Sequence, residues 1–284
     1  YVLADTYKDH ADEIIKFAVR PEDVWVATFP RTGTTWTQEM VWLIANDLNY
    51  EGAKESITKR YAFLEILAVT PVKTKEEQNI GNDQLFLDYR DIADAPSPRF
   101  IKTHLPMSLL PPAILNSKVV YVTRDPRDVA VSYYHHNKLF KITGCTGDFK
   151  SYWNLFRKDM LIWSPFFKHT KEAWALKDHP NMLFLFYEDM ANDLPSVAKR
   201  VARFFDKSYT DEQILTLCEH LRFDNMKDNK ASQQEKKTSD IDLLLFIAGK
   251  VGGWEKYFDE EMRKQAEEYI KDNLKDTNLK FPIC

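Results

Sequence analysis

Four short apolar runs recur along the chain, at residues 24–29, 99–103, 118–123 and 182–187. They are rich in Val, Ile and Phe and lack a regular polar alternation, which indicates strands that are buried on both faces. Segments with helical periodicity follow the first, third and fourth runs, and strands that alternate with helices form right-handed crossovers. The pattern predicts an α/β fold in a single domain over residues 1–284, with a central, mostly parallel sheet flanked by helices.

Four helices are predicted from apolar periodicity and from the residues at their ends. Three of them follow strands, at residues 37–48, 128–140 and 194–205, and Pro126 suits the first turn of the second one. The fourth, at residues 259–274, carries acidic residues early and basic residues later, as exposed helices often do. We expect these helices to cover the sheet.

Loop composition marks the segments between these elements, at residues 70–83, 94–99, 143–148 and 226–240. The last segment is long and polar, and we expect it to form a mobile lid. No apolar stretch approaches the roughly 20 residues that span a bilayer, so we expect no transmembrane helix and no membrane partner.

Composition assigns the chain to a class and limits its partners. Among 284 residues, 44% are hydrophobic and 29% are charged, which is typical of a soluble globular protein with a packed core. A formal net charge of −4 gives the chain as a whole no attraction to nucleic acid or to anionic membranes, and we expect neither as a partner. Any site for an anion must therefore be local.

The three cysteines, Cys145, Cys218 and Cys284, lie far apart in the sequence. This spacing predicts neither a disulfide framework nor a pair of metal ligands, and a reducing compartment, the cytoplasm, is the simplest interpretation. The first residues lack the cationic and apolar pattern of a signal peptide. Because the chain starts at Tyr1, a segment upstream could have been lost.

The loop FPRTGTTW follows the first predicted strand and precedes a helix. Gly33 lets backbone N–H groups turn inwards, the hydroxyls of Thr32, Thr34 and Thr35 add donors, and Arg31 adds a fixed charge. The N-terminus of the following helix points at the same place. The loop thus predicts a cradle for a phosphate or sulfate dianion, although a turn with a capping Thr would explain it equally well on its own.

Three further motifs lie at the other predicted strands: KTHLP at residues 102–106, YVTRDPRDVAVSYYHH at 121–136 and LFYEDM at 185–190. In an extended strand the side chains of Lys102 and His104 share one face. A buried structural lysine is costly, which favours a function for Lys102, whereas a lone histidine after a strand is more often structural. Because ligands bind beyond the carboxyl ends of parallel strands, these motifs predict one shared site.

Taken together, the four motifs resemble those of the cytosolic sulfotransferases, whose first loop typically reads Y-P-K-S-G-T-T-W. They follow the family's order and spacing over most of the chain and are similar to those of an insect or other invertebrate member. The resemblance implies transfer of a sulfuryl group from 3′-phosphoadenosine 5′-phosphosulfate (PAPS) to a hydroxyl or amine. It implies a small, largely apolar acceptor such as a phenol, steroid or alcohol, 3′-phosphoadenosine 5′-phosphate (PAP) as the product, and no metal.

The resemblance also implies roles for individual residues. His104 would be the general base, since imidazole titrates in a suitable range. Lys102 would neutralise the oxygens of the sulfuryl group, and Arg31 stands where the family has a lysine that contacts the leaving oxygen. Arg124 and Ser132 correspond to residues that hold the 3′-phosphate.

The remaining site residues follow from the same comparison of motifs. Trp36 and Tyr187 would line the adenine site, with Phe223 packing nearby, and His136 and Phe140 are candidates for the acceptor pocket. The full set predicted to bind the donor is Arg31, Thr32, Gly33, Thr34, Thr35, Trp36, Arg124, Ser132, Tyr187, Phe223, Gly249 and Lys250.

Two departures from the family pattern stand near the C-terminus. Where members usually carry R-K-G-x-x-G-x-W, residues 246–254 read FIAGKVGGW, so Ile247 and Ala248 occupy the place of the Arg-Lys pair. Lys250 could compensate for the missing charge. The family's dimerisation motif, K-x-x-x-T-V-x-x-x-E, is absent after Trp254, which predicts a monomer or a weak homodimer.

Three other functions compete with this interpretation. A related enzyme that sulfates an allylic alcohol and then loses sulfate would give net dehydration. A PAP- or PAPS-binding protein with impaired catalysis would explain Arg31 and the altered FIAGK segment. A P-loop kinase is disfavoured because the loop lacks the second Gly and the Lys-Ser/Thr pair of a Walker A motif.

Overall fold

The computed structural model describes residues 1–70, 89–139, 145–222, 225–226 and 251–282. Its centre is a five-stranded sheet in which every strand pairs in parallel with its neighbours. The strands are β1 (Val24–Thr28), β2 (Ala62–Phe63), β3 (Phe100–Thr103), β4 (Lys118–Thr123) and β5 (Met182–Phe186). Their spatial order is β2-β3-β1-β4-β5, so the first strand in sequence lies in the middle of the sheet. A single α/β domain with a parallel sheet is confirmed.

Helices flank this sheet on both faces. Those that the structure describes are α1 (Ala11–Ile15), α2 (Thr34–Ala45), α3 (Ile57–Arg60), α4 (Ile66–Val69), α5 (Tyr89–Asp94), α6 (Pro126–Leu139), α7 (Phe149–Arg157), α8 (Phe166–Ala175), α9 (Tyr187–Asn192), α10 (Leu194–Phe204), α11 (Asp211–His220) and α12 (Glu260–Leu274). Short 3₁₀ turns occupy Asp5–Asp9, Gly52–Lys54, Met107–Leu109, Pro112–Asn116 and Gly253–Lys256.

Two hydrophobic cores lie on opposite faces of the sheet, because successive strand residues point to opposite sides. On one face, Trp25 and Tyr121 pack in a large aromatic cluster with residues of α6, α7, α8 and α12. On the other face, Val26 and Val120 pack against apolar residues of α2, α10 and α11. The strands are therefore buried on both faces, as the absence of polar alternation predicts.

Most predicted elements are found within a few residues of their expected bounds. The predicted helix 37–48 begins earlier, at Thr34, and the helix predicted at 128–140 begins at Pro126, the proline expected in its first turn. β2 has no predicted counterpart. The segment 227–250, which holds most of the predicted lid, lies outside the described residues, and no described helix is long and apolar enough to cross a membrane.

A buried ion pair joins the starts of the two central strands β1 and β3. Arg99 directly precedes β3, and Asp23 directly precedes β1. The Arg99 side chain donates from Nε to Asp23 Oδ1 at 2.7 Å and from Nη2 to Asp23 Oδ2 at 2.6 Å, and both side chains are almost fully shielded from solvent. This bidentate contact ties the two strands at the edge opposite their carboxyl ends.

Candidate active site

The loop between β1 and α2 has a backbone shape that depends on Gly33. Arg31 has φ of 71° and Gly33 has φ of 107°, both in the left-handed region. A Cβ atom at position 33 would also lie 2.7 Å from Cδ2 of Tyr187. Glycine therefore meets two requirements at once, a positive φ and a close approach to an aromatic ring. The loop turns directly into α2, which places the N-terminus of that helix at the loop.

The threonine hydroxyls of this loop are not all free to face a ligand. The Thr32 hydroxyl is fully buried and donates to the backbone carbonyls of Phe29 at 2.8 Å and Val122 at 2.9 Å. The Thr34 hydroxyl lies 2.8 Å from the hydroxyl of Thr28. The expectation that the Thr32 hydroxyl donates to an anion is therefore wrong, because its single proton is used inside the protein. Thr32 has only its backbone N–H to offer an anion.

His104 lies just after β3, where its ring is held by β1. Its Nδ1 is 2.8 Å from the backbone carbonyl oxygen of Thr28 and 3.0 Å from the Thr28 hydroxyl. A carbonyl oxygen can only accept, so Nδ1 carries the proton and the neutral ring has its lone pair at Nε2. Burial and the positive charge of Lys102 hold the pKa of His104 well below its usual value, which keeps the ring neutral at physiological pH.

Aromatic side chains stand on either side of the His104 ring. The ring of Phe63 lies 5.3 Å away and that of Trp163 lies 5.7 Å away, both in edge-on arrangements. The ammonium group of Lys102 lies over the Phe63 ring, 4.3 Å from its centre. Trp163 is fixed by its backbone N–H, which donates to the carbonyl of Val2 at 2.7 Å. The imidazole is thus bordered by apolar walls with a cation beside it.

Three cationic side chains influence one another at the carboxyl ends of β1, β3 and β4. Burial lowers the pKa of Lys102 to about 8, with Arg31 adding to the effect. Burial likewise lowers the pKa of Arg31 to about 10, and the charge of Arg124 contributes. Arg31 also donates from Nε to the Ser132 hydroxyl on α6 at 3.0 Å. Such a concentration of positive charge favours an anionic ligand.

Arg124 occupies a buried position at the end of β4, where it connects several parts of the site. Its guanidinium carbon lies 4.2 Å from the centre of the Tyr187 ring, and its Nη2 lies 3.5 Å from Asp128 Oδ2. Asp128 in turn accepts from the backbone N–H groups of Gly252 at 2.8 Å and Trp254 at 3.0 Å. The C-terminal GGW stretch is therefore attached to the turn that carries Arg124.

Trp36 and Tyr187 form an aromatic wall beside the loop. Their ring centres are 5.4 Å apart with the planes at 62°. The indole N–H of Trp36 donates to the backbone carbonyl of Leu221 at 2.9 Å, which fixes the ring against the end of α11. An aromatic wall next to a cationic loop is suited to a ligand that carries both a flat base and anionic groups.

The sequence model of the family described as "Sulfotransferase domain" matches residues 21–278. This chain belongs to the sulfotransferase family. It is 40% identical over 246 residues to a luciferin sulfotransferase of Photinus pyralis, a match that covers 83% of this chain and 65% of the firefly protein. The chain therefore spans slightly less than two thirds of that relative's length.

Two further comparisons cover nearly the whole sulfotransferase. A sulfotransferase 1B1 of Canis lupus familiaris is 31% identical over 288 residues, covering 99% of this chain and 93% of the dog protein. A crystal structure of retinol dehydratase in complex with androsterone and the inactive cofactor PAP superposes with a TM-score of 0.89 at 42% identity. That superposition covers 98% of this chain and 88% of the dehydratase chain. The resemblance of the four sequence motifs to those of the sulfotransferase family is confirmed.

His136 lies one helical turn after Ser132 on α6 of this sulfotransferase. Burial, followed by the positive charge of Arg31, lowers its pKa to about 3, so the ring is neutral at physiological pH. The charge of Lys102 acts on it as well. The structure thus brings His136 to the same site as the loop and β3, while its proposed contact with the acceptor stays a prediction.

Sequence reasoning missed Glu65, which lies between β2 and α4 of the sulfotransferase. Its Oε1 accepts from the His104 backbone N–H at 2.6 Å, and its Oε2 accepts from the Thr103 hydroxyl at 2.8 Å. The side chain is fully buried. A single Glu in a short apolar stretch gives no periodic or motif signal, so only the pairing of β2 with β3 reveals it.

Four predicted site residues, Phe140, Phe223, Gly249 and Lys250, lie outside the described residues, as does the Ile247-Ala248 departure. Within the described part of this sulfotransferase, His, Cys, Asp and Glu side chains form no group that could hold a metal ion. Asp128 is a second residue that sequence reasoning missed, although it lies inside the quoted YVTRDPRDVAVSYYHH motif. Its role as an acceptor for the GGW backbone depends on a contact between distant segments.

Proposed function

We propose that this chain transfers a sulfuryl group from PAPS to a hydroxyl or amine of a small, largely apolar acceptor. The observation that supports the proposal is that Arg31, Lys102 and His104 lie together at the carboxyl ends of the strands. The chain is also 42% identical to a retinol dehydratase whose structure contains PAP. Parallel sheets bind ligands at the carboxyl ends of their strands.

The described residues fit the charge and shape of PAPS. Arg31, Lys102 and Arg124 provide positive charge for its anionic groups, and the pKa values of the first two are held down by burial and by a neighbouring cation. The backbone N–H groups of the loop lie at the N-terminus of α2, a position that favours anionic groups. Trp36 and Tyr187 offer an aromatic surface to an adenine ring.

The proposal assigns a role to each of these residues. His104 receives the acceptor's proton at Nε2, since its Nδ1 is protonated toward Thr28. Lys102 and Arg31 neutralise the oxygens of the sulfuryl and leaving groups, and Ser132 holds the Arg31 guanidinium in place. Arg124 meets the 3′-phosphate. Bound PAPS would supply the activated sulfuryl group that passes to the acceptor, with PAP as the product.

The acceptor is proposed to lie between the apolar walls around His104. Phe63 and Trp163 border the imidazole edge-on, and the Lys102 ammonium lies over the Phe63 ring. An apolar molecule with one hydroxyl could bury its hydrocarbon part there and present the hydroxyl to Nε2. The androsterone in the retinol dehydratase structure is a ligand of that type. A cytoplasmic location, a monomer or weak homodimer, and a single domain over residues 1–284 remain part of the proposal.

Calorimetric titration with PAP, AMP and ATP, without added metal, tests the donor site. We expect PAP to bind more tightly than AMP, because AMP lacks the 3′-phosphate that Arg124 would meet. Arg124→Gln should reduce PAP affinity at least about tenfold, the effect of losing one charge-assisted contact, and leave AMP affinity nearly unchanged. Arg203→Gln, on an exposed arginine of α10, is the matched control.

Turnover of PAPS with a panel of phenols, steroids and alcohols then tests the reaction. Equal affinity for PAP and AMP would contradict the donor assignment. Selective PAP binding with no sulfated product from any acceptor would instead identify a nucleotide-binding protein with impaired catalysis.

A second candidate function is dehydration through a sulfated intermediate, and the similarity to retinol dehydratase favours it. In this reaction an allylic alcohol would first be sulfated. The C–O bond would then break with loss of sulfate, a neighbouring carbon would lose a proton, and the net product would be an alkene. Mass spectrometry of the products from an allylic alcohol separates the two functions, because a stable sulfate ester excludes dehydration.

A further inference from the structure

Glu65 completes the β2–β3 hydrogen-bond ladder at the point where β2 ends. The backbone of Leu64 makes a regular contact there, with its N–H donating to the Lys102 carbonyl at 3.0 Å. The next donor on β3 is the His104 N–H, and it meets the Glu65 side chain at 2.6 Å instead of a backbone carbonyl. The carboxylate thus takes the place of a strand at the residue that carries the reactive imidazole.

His104 is held from two neighbouring strands as a result. The Thr28 carbonyl on β1 fixes its ring, and the Glu65 carboxylate on the β2 side fixes its backbone. The second carboxylate oxygen accepts from the Thr103 hydroxyl at 2.8 Å, and this hydroxyl accepts from the Leu105 N–H at 3.0 Å. Hydrogen bonds therefore constrain the backbone on both sides of His104.

Several titratable groups face Glu65 and Lys102 from the surrounding elements. Tyr7, in the N-terminal 3₁₀ turn, interacts electrostatically with Glu65. Arg31 from the first loop, His136 from α6 and His104 interact with Lys102. Among the charges acting on Lys102, Glu65 is the one that favours its charged form, while Arg31 opposes it.

We propose that Glu65 is a positioning residue of the transfer reaction, holding the His104 backbone in place and keeping the Lys102 ammonium charged for the anionic donor. The second part rests on the proposed function, because it assigns Lys102 to the donor. Burial raises the pKa of Glu65 to about 7, whereas burial lowers that of Lys102 to about 8. Burial thus opposes the charged form of both groups, and the charge of each favours the charged form of the other.

Direct titration of Lys102 in the ligand-free protein tests the electrostatic part without relying on PAPS. Lysine side-chain NMR would follow the resonance from about pH 6 to about pH 10, with Lys102→Arg used to assign it. In Glu65→Gln we expect the Lys102 midpoint to fall by about one pH unit, since the charge of Glu65, which favours the charged form of Lys102, is lost. Glu65→Asp is the matched control, because it keeps the charge and changes the packing of the side chain.

PAP titrations over the same pH range link this effect to donor binding. Glutamine resembles the protonated acid, so Glu65→Gln should bind PAP as the wild type does at pH 6 and about fivefold more weakly at pH 8. The difference should vanish in a Lys102→Arg background, where the cation stays charged.

The outcomes separate the inference from the proposed function. Superimposable Lys102 titrations of wild type and Glu65→Gln would overturn the inference even if PAP binds selectively. An equal shift in Glu65→Asp would also overturn it, since packing rather than charge would then be responsible. If the wild type bound PAP no more tightly than AMP, the proposed function would be contradicted. The Lys102 midpoints measured by NMR would then still decide the inference. Thermal melting identifies any variant that fails to fold. Glu65→Asp, which keeps the charge, should retain the wild-type Lys102 midpoint.

Discussion

At the scale of single residues, His104 is defined by what its two nitrogen atoms face. Nδ1 is committed to the Thr28 carbonyl, and the ring is kept neutral by burial and by Lys102. His104→Ala should lower kcat by about 10²–10⁴-fold, the range for a lost general base, and leave PAP affinity within about twofold. His179→Ala, on an exposed histidine, is the control. Steady-state kinetics with calorimetry measures both, and a substantial residual kcat would refute the base assignment.

The pH profile of kcat/KM depends on two residues, one that must be neutral and one that must be charged. In the proposed mechanism His104 acts as a base when neutral, and its depressed pKa means that kcat/KM should stay level from pH 7 down to about pH 6. Lys102 acts when charged, so kcat/KM should decline as the pH rises through its pKa of about 8. Initial rates at subsaturating PAPS measure this profile. An acid limb centred on the ordinary histidine pKa that persists in Glu65→Gln, where the carboxyl group that titrates at about pH 7 is absent, would contradict the environment described for His104.

At the scale of elements, the β1–α2 loop depends on Gly33. Alanine there would need a left-handed φ and would place its Cβ 2.7 Å from the Tyr187 ring. Gly33→Ala should weaken PAP binding at least about tenfold, because strain of about 1–3 kcal/mol would move the loop or the ring. Gly147→Ala is the matched control, since its Cβ would meet only Ser151 at 3.5 Å, an ordinary contact. Calorimetry and thermal melting of both variants separate loss of the site from loss of the fold, and wild-type PAP affinity in Gly33→Ala would contradict this account.

The elements that sequence reasoning predicts are those with a continuous apolar signal. β1, β4 and β5 are confirmed because four or five buried residues in a row leave little choice of structure. β2 contains only Ala62 and Phe63, too few residues to show a period, and it becomes a strand by pairing with β3. The predicted start of α2 lies three residues too late, because the helix begins with Thr34 and Thr35, which carry no apolar pattern.

The same distinction applies to the candidate site. Its location follows from the motifs, since the carboxyl ends of parallel strands meet at one edge. The direction of the Thr32 hydroxyl could not be predicted, because its acceptor is the Val122 carbonyl on another strand. The role of Glu65 could not be predicted for the same reason, because its carboxylate contacts Thr103 and His104 at the end of β3. Sequence patterns locate the residues that follow a strand, but contacts between strands decide what each side chain does.

At the scale of the whole molecule, the Arg99–Asp23 pair joins the two strands whose ends carry the loop and His104. Both side chains are buried, so removing one leaves the other without its partner. Arg99→Met should lower the free energy of unfolding by about 3–5 kcal/mol. Lys150→Met, which removes a solvent-exposed lysine paired with Asp259 and Glu261, should leave it nearly unchanged. Urea denaturation compares the two, and equal midpoints would show that the buried pair is not a main contributor.

The order of strands in the sheet also determines when the donor site can exist during synthesis. β1 is made early but lies between β3 and β4, which the ribosome completes later. At about 5–20 residues per second, β1 leaves the exit tunnel seconds before either neighbour. One of the two carbonyls that accept from the Thr32 hydroxyl, that of Val122, belongs to β4, so the loop gains this contact only after that strand has docked. The nucleotide can therefore stabilise a nascent chain only once the three central strands of the chain have assembled. PAP binding thus detects a late stage of folding and does not direct the earlier stages.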